Sequence, residues 1–162
     1  MLIIWKFIPF LLLLYSIQIW YNYNLVKTTQ QYLTENGISP SVQRLAIMNY
    51  LLTHHTHPTV NEIYAELLPA IPTLSKTTVH NTLKLFVQHK IALHVNIDER
   101  NARFDGIVKA HAHFLCKKCG RILDVPLHKL KHLYLEKSDF TIEEAYFNIK
   151  GICKTCKTRW LR

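Results

Sequence analysis

Apolar side chains recur at helical spacing along the segment from Thr28 to Gln88. A first short helix is predicted to end at Gly37, and a second to begin with Pro40 at its first helical position. Two further helices follow, opened by the capping box Thr59–Glu62 and by Ser75. Their apolar faces are Leu45, Met48, Leu51 and Leu52, then Ile63 and Leu67, then Val79, Leu83, Phe86 and Val87. The helices are therefore expected to share one core.

The pattern changes to strand-like alternation after the last of these helices. The alternating apolar positions are Ile91, Leu93, Val95 and Ile97. A turn at Asp98–Asn101 is predicted to lead into a return strand, Arg103–Asp105. Helices followed by a β-hairpin are typical of a winged helix-turn-helix, which makes the helix Ser75–Gln88 the candidate recognition helix.

The outward face of this helix carries polar or basic side chains suited to phosphates and base edges. They are Lys76, Thr77, Thr78, His80, Asn81 and Lys84. On the residues alone, DNA contact and an ordinary solvated helix face are equally good interpretations.

From Gly106 onward the chain is expected to form a second, smaller unit that mixes helix and strand. His113–Val125 is predicted to be a hairpin bent around Cys116–Gly120, Pro126–Lys137 a helix, and Phe140–Ile152 mostly extended. The predicted fold class is therefore α+β, with a winged-helix domain over residues 27–105 and a small domain over residues 106–162.

The four cysteines of the chain form two pairs, Cys116 with Cys119 and Cys153 with Cys156. Each Cys-x-x-Cys pair is able to hold a metal from one tight turn, and two pairs provide the four thiolates of a closed tetrahedral zinc site. The 33 residues between the pairs exceed the usual zinc-ribbon spacing, so the site would join distant segments. Disulfides are the alternative, and a reducing compartment favours zinc.

Charge adds little to the evidence for DNA binding. The net charge of the 162 residues is +9. Residues 27–105 contain seven basic and six acidic side chains, a net of +1, whereas residues 106–162 contain twelve and five, a net of +7. Four thiolates on one Zn²⁺ would remove two units from the second half, so charge supports nucleic-acid binding only weakly.

The first 26 residues differ from the rest of the chain. Phe7 to Val26 is a 20-residue stretch without a charged side chain, long enough to span a bilayer. Either it is a membrane anchor or translation begins near Leu25 or Val26, since bacteria can initiate at codons that otherwise read Leu or Val. We favour the second interpretation. In both cases the remainder is expected in the cytoplasm, and a membrane partner is expected only if residues 1–26 are translated.

A second group of metal-ligating residues surrounds the motif His111-Ala112-His113. Two imidazoles at i and i+2 share a face if the segment is a strand. Asp105 precedes the motif and Asp124 follows it, and a mixed imidazole and carboxylate set suits Fe²⁺, Mn²⁺ or Zn²⁺. His57 stands before Pro58, where the chain is held out of the α region. Taken singly, each is more often a surface histidine or a turn aspartate, and spacing alone does not select His57 from its neighbours.

Residues 27–162 resemble the ferric uptake regulator family, which consists of metal-dependent dimeric bacterial repressors with an N-terminal winged helix and a C-terminal dimerisation domain. The matching stretches are Gln43–Ile47, His57–Thr59, Glu62–Tyr64, Thr78–Leu83, Arg103–Asp105 and His111–Gly120. The resemblance implies a homodimer that binds a double-stranded DNA operator and has no enzymatic activity. Two departures are His80, where the family usually has Tyr, and segment 1–26, which has no counterpart.

Within the family the chain most resembles the peroxide-sensing branch. The resemblance implies structural Zn²⁺ at the four cysteines and regulatory Fe²⁺ or Mn²⁺ at His57, Asp105, His111, His113 and Asp124. It also implies that peroxide oxidises His57 or His111 through bound iron and thereby releases DNA. The nearest alternative is an iron-responsive repressor of metal uptake, which typically has Glu in place of Asp105 and Asp124. A metalloenzyme and a membrane-tethered zinc-ribbon module are the remaining alternatives.

Overall fold

The computed structural model describes residues 28–98, 101–129 and 145–158. Its helices are α1 (residues 28–35), α2 (Val42–Thr53), α3 (Val60–Leu67), α4 (Lys76–Gln88) and α5 (Lys154–Thr158). The strands are β1 (Leu93–Val95), β2 (Arg103–Asp105), β3 (Ala112–Cys116), β4 (Ile122–Val125) and β5 (Phe147–Gly151), and a 3₁₀ turn spans Leu127–Lys129.

Side-chain caps set the starts of three helices. Ser41 accepts a hydrogen bond from the backbone N–H of Arg44, and Ser75 accepts one from that of Thr78. Thr59 and Glu62 form the predicted capping box of α3. The predicted start of α2 at Pro40 was wrong, because the N-cap is Ser41 and the helix begins one residue after it. The other two starts are confirmed.

One core joins the helices to the wing. All the predicted apolar faces contribute to it, with Met48, Leu51, Ile63, Leu83 and Phe86 almost fully buried. Phe104 of β2 packs into the same cluster, so the hairpin β1–β2 is held against α4. Three helices followed by this antiparallel hairpin give the winged helix-turn-helix that the sequence predicts.

The second sheet has the strand order β4-β3-β5. Strands β3 and β4 form the predicted antiparallel hairpin, and β5 pairs with β3 in parallel. A small cluster of Val95, Ile97 and Ile122 connects this sheet to the wing. The side-chain amide of Asn148 adds a hydrogen bond to the carbonyl of Asn96, 3.2 Å away. These contacts hold the two sheets side by side.

Several predictions lie outside the described residues or at their edges. Most of the predicted helix Pro126–Lys137 and the whole segment 1–26 fall outside them. Within the described residues, no helix is both long and apolar enough to cross a membrane.

Candidate metal centres

His57 reaches the first candidate centre from the turn between α2 and α3. Its backbone has a φ of 53°, in the left-handed region that few non-glycine residues adopt. The guanidinium of Arg103 donates to the carbonyl of His57 at 3.0 Å, and the N–H of Phe104 donates to the carbonyl of Pro58 at 3.0 Å. Strand β2 therefore fixes this turn, and the imidazole of His57 is buried with only 1% of its surface exposed.

Asp105 is the last residue of β2, and its Oδ2 lies 3.8 Å from Nε2 of His57. One carboxylate oxygen, Oδ1, accepts a hydrogen bond from the backbone N–H of Ile107 at 2.8 Å, which orients the side chain. The following residue, Gly106, packs against the end of α2, where an added Cβ would lie 3.0 Å from the carbonyl oxygen of Leu51. The backbone next to Asp105 is therefore closely packed, and a side chain at position 106 would press against the end of α2.

The second sheet and the residue just before β3 supply the other three side chains. His113 on β3 faces Asp124 on β4 as its register partner, and His111 lies just before β3. Nδ1 of His111 is 2.7 Å from the carbonyl oxygen of Lys109. A proton on Nδ1 makes this a hydrogen bond and leaves the lone pair of Nε2 directed towards the centre.

These five side chains converge on one point. Their ligand atoms all lie within 4.8 Å of one another. Nε2 of His57 is 2.7 Å from Oδ1 of Asp124, and Nε2 of His111 is 3.0 Å from both Nε2 of His113 and Oδ2 of Asp105. Three of the side chains, those of His57, Asp105 and His113, are buried, whereas that of Asp124 is 28% exposed.

The polar atoms of this cluster lack ordinary partners. Both ring nitrogens of His57 and Oδ2 of Asp105 are buried without a hydrogen bond, since the short contact between His57 and Asp124 is not aligned as one. Burial lowers the pKa of His57, an effect that His113 reinforces and the two aspartates oppose. Burial raises the pKa of Asp105, but the nearby imidazole of His113 and the hydrogen bond from the backbone N–H of Ile107 outweigh it and bring that pKa below its ordinary value. A neutral imidazole beside an ionised carboxylate is the protonation state that a metal requires.

The donor set fits a divalent metal ion. Three imidazoles and two carboxylates suit Fe²⁺, Mn²⁺ or Zn²⁺, and a cation would satisfy the buried atoms that have no partner. All five residues proposed from the sequence meet here, including His57, which spacing alone did not select.

The four cysteines form a second cluster at the opposite end of β3. Strands β3 and β5 are parallel, with Cys116 opposite Gly151. Both strands therefore lead into a cysteine pair at the same end of the sheet. The four sulfurs lie within 4.8 Å of one another, and none is in a disulfide. Gly120, with a φ of 71°, closes the turn after Cys119. This set fits one tetrahedral zinc ion.

The surroundings shift the pKa values of these cysteines in different directions. Backbone N–H groups, first that of Cys153 and then that of Cys119, lower the pKa of Cys116 to about 6. Hydrogen bonds from the side chain and backbone of Arg121 lower the pKa of Cys119. Burial and the neighbouring sulfurs raise the pKa of Cys156 to about 12. A cation at their centre would favour the thiolate form of all four sulfurs, including that of Cys156.

The candidate DNA-binding residues lie along α4. Five are exposed, namely Lys76, Thr77, His80, Asn81 and Lys84. Thr78 is half-buried, and its hydroxyl lies 2.8 Å from that of the N-cap Ser75, so it contributes to the cap as well as to the helix surface.

Two clefts beside α4 include residues that sequence reasoning missed. One, of about 410 Å³, is lined by Arg44 of α2 together with Asn81. The other, of about 310 Å³, lies between α4 and the wing, where His94 of β1 joins His80 and Lys84. Arg44 was part of a matched motif, but no local pattern indicated that α2 or β1 would border the face of α4.

Comparisons with known proteins agree with this geometry. The sequence profile of the Ferric uptake regulator family matches residues 35–150. The peroxide-responsive repressor PerR of Staphylococcus epidermidis is 36% identical over 128 residues, which cover 77% of this chain and 85% of that protein. PerR of Staphylococcus aureus is 35% identical over 130 residues, which cover 78% and 88%.

Solved structures show the same fold at lower identity. The ferric uptake regulator of Helicobacter pylori matches with a TM-score of 0.65 and 18% identity, over 83% of this chain and 93% of that one. The regulator of Vibrio cholerae matches with a TM-score of 0.62 and 19% identity, over 76% and 98%. At these identities the likeness concerns the fold alone.

Proposed function

The chain belongs to the ferric uptake regulator family, and from this premise we propose that it is a metal-dependent DNA-binding repressor that senses peroxide. Membership makes it a transcription regulator and not an enzyme. The observation that carries the finer proposal is the convergence of three histidines and two aspartates, with unpartnered buried atoms, on one point. Asp105 and Asp124, where the iron-uptake branch typically has Glu, and the two similar PerR proteins favour the peroxide-sensing branch.

The regulatory site is proposed to act as a clamp. His57 and Asp105 belong to the winged-helix half, whereas His111, His113 and Asp124 belong to the second sheet and the residues just before it. A cation held by both sets fixes the position of α4 relative to the second sheet. In a homodimer built on the domain over residues 106–162, this position sets the distance between the two recognition helices.

Operator binding is proposed to require one such distance. Two recognition helices enter successive major grooves only when they lie roughly 34–36 Å apart. The exposed side chains Lys76, Thr77, His80, Asn81 and Lys84 would then contact the DNA, with Thr78 at the start of the helix. Metal favours the DNA-competent state because it binds that state more tightly than the open one.

Peroxide sensing follows from the identity of the ligands. Fe²⁺ held by these three histidines and two aspartates would supply the electron that reduces hydrogen peroxide beside the ligand rings. The imidazoles of His57 and His111 are the proposed targets of the resulting oxidant. An oxidised ring is a poor ligand, so the two halves of the clamp separate and DNA is released. With Mn²⁺ in the site, the same residues hold the clamp closed without this oxidation.

The cysteine cluster is proposed to have a structural role. Closed four-thiolate zinc sites stabilise folds, and here the ion would join the end of β3 to α5. Its zinc is expected to stay in place when the regulatory metal is removed.

The proposal is tested by measuring operator-fragment binding of the protein loaded with Fe²⁺ or Mn²⁺, before and after a small dose of hydrogen peroxide. Intact and peptide masses are recorded in parallel. We expect loss of binding only in the iron form, with one oxygen added to a peptide that contains His57 or His111. Binding that persists in both forms without added oxygen would favour an iron-availability repressor and overturn peroxide sensing.

A further inference from the structure

Arg121 connects the two cysteine pairs. Its guanidinium Nη2 donates to Sγ of Cys153 at 3.7 Å. The same side chain lies near Cys119 of the other pair and lowers the pKa of that thiol. The backbone of Arg121 is fixed as well, because its carbonyl accepts a hydrogen bond from the N–H of Cys116 at 2.9 Å. Arg121 therefore extends from a fixed backbone position towards sulfurs that are distant in sequence.

The negative charge of a zinc-bound cysteine cluster makes the nearby guanidinium of Arg121 stabilising. Four thiolates around one Zn²⁺ carry a net charge of −2, and a cation hydrogen-bonded to one of them and close to a second stabilises that charge. Hydrogen bonds to ligand atoms also hold them in the geometry of the bound state. Arg is suited to this role because its planar fork presents several donors at once.

The position of Arg121 also matters for access. Cys119 is the exposed member of the cluster, whereas Cys116, Cys153 and Cys156 are buried. Cys119 and Arg121 line one cleft of about 400 Å³ together with Glu62 and Arg103. A competing ligand that enters this cleft therefore meets the sulfur of Cys119 beside the guanidinium.

We propose that Arg121 is a positioning residue of the zinc site, which bridges Cys119 and Cys153 and slows the loss of zinc through the exposed side of the cluster. This role is separate from peroxide sensing at the histidine and aspartate site, and it concerns only how firmly the structural ion is held.

The test compares zinc release from the purified zinc-containing protein and its variants Arg121→Ala, Arg121→Lys and Arg121→Gln. An excess of a chromogenic chelator reports release at a fixed temperature. Lys117→Ala is the matched control, since it removes one positive charge from the same turn while its backbone N–H still bonds to the carbonyl of Gly151. We expect release to be about 10-fold faster or more for Arg121→Ala and Arg121→Gln, intermediate for Arg121→Lys and unchanged for the control.

A spectroscopic measurement separates hydrogen bonding from a general loss of stability. Protein produced in cobalt-supplemented medium has a sulfur-to-cobalt charge-transfer band, to which the histidine and aspartate site, lacking sulfur, does not contribute. Removing donors from the thiolates makes them easier to oxidise, so the band is expected at longer wavelength in Arg121→Ala and Arg121→Gln and unchanged in Lys117→Ala.

Release at the wild-type rate from Arg121→Ala, or an equal acceleration in Lys117→Ala, would overturn the proposal. If Arg121→Ala does not fold, Arg121→Lys decides, because it retains charge and length but loses the fork. Mn²⁺ binding by the regulatory site, measured on the same variants, is expected to be unchanged, so failure here leaves the proposed function untouched.

Discussion

Nε2 of His57 lies 2.7 Å from Oδ1 of Asp124, although His57 precedes α3 and Asp124 belongs to β4. This contact brings the turn before α3 directly against the second sheet. The two atoms are not aligned as a hydrogen bond, so Nε2 of His57 has no hydrogen-bond partner. A cation between them would bind both side chains, and substitutions at His57 and Asp124 therefore test the proposed site.

Replacing His57 by Asn is expected to abolish metal-dependent operator binding while leaving zinc content and dimerisation intact. Asn tolerates the left-handed backbone of this position, so the turn is retained and only the imidazole is lost. Mn²⁺ affinity should fall by more than the roughly 10–100-fold that follows loss of an outer-shell partner. Calorimetric titration measures it, with His55→Asn in the same turn as the control. Full operator affinity in His57→Asn would contradict the clamp.

Asp124→Glu is expected to separate metal binding from peroxide sensing. The longer side chain keeps a carboxylate for Mn²⁺ but moves it, so the geometry beside His57 changes. Peroxide-driven loss of operator binding by the iron form should slow by roughly 10–100-fold. Asp124→Asn, which keeps the size but removes the charge, should weaken Mn²⁺ binding as well. Unchanged peroxide sensitivity in Asp124→Glu would count against the assignment to the peroxide-sensing branch.

Gly106→Ala is expected to disturb the regulatory site from outside it. The new methyl group would meet the backbone carbonyl of Leu51 at 3.0 Å, so either the end of α2 or the chain next to Asp105 must shift by a few tenths of an ångström. The free energy of unfolding should fall by about 1–3 kcal/mol, and Mn²⁺ affinity should fall with it. Gly37→Ala is the control, since its φ of 75° also penalises alanine. In Gly37→Ala, urea unfolding should show a loss of stability, whereas Mn²⁺ titration should show an unchanged affinity.

The metal-free protein is expected to lose stability as the pH falls from about 7.5 to 5.5. Burial lowers the pKa of His57, so below its ordinary value of about 6.5 the unfolded chain binds more protons than the folded one. The contribution of Asp105, whose pKa is also lowered, stays constant in this window and is lost only in stronger acid. Urea unfolding at several pH values measures the slope. A slope in His57→Asn equal to that of the wild type would show that His57 does not contribute.

Helices, caps and the cysteine pairs were predictable because their signals are local. The apolar faces of α2 to α4 follow the helical period, and Thr59 and Ser75 act on N–H groups three residues away. The start of α2 was misplaced because both Pro40 and Ser41 are suitable at a helix start, and only the hydrogen bond from Arg44 shows that Ser41 is the cap. The zinc assignment rested on spacing within each pair, which a single turn satisfies.

The sequence by itself determined which residues are able to bind a metal, since the chemistry of thiols, imidazoles and carboxylates does not depend on the fold. Only the tertiary structure decided which of them meet. The parallel pairing of β5 with β3 brings the two cysteine pairs to the same end of the second sheet. The hydrogen bond from Arg103 to the left-handed turn selects His57 over the exposed His54 and His55. Strand register and backbone contacts between distant segments set these distances, and no local pattern encodes them.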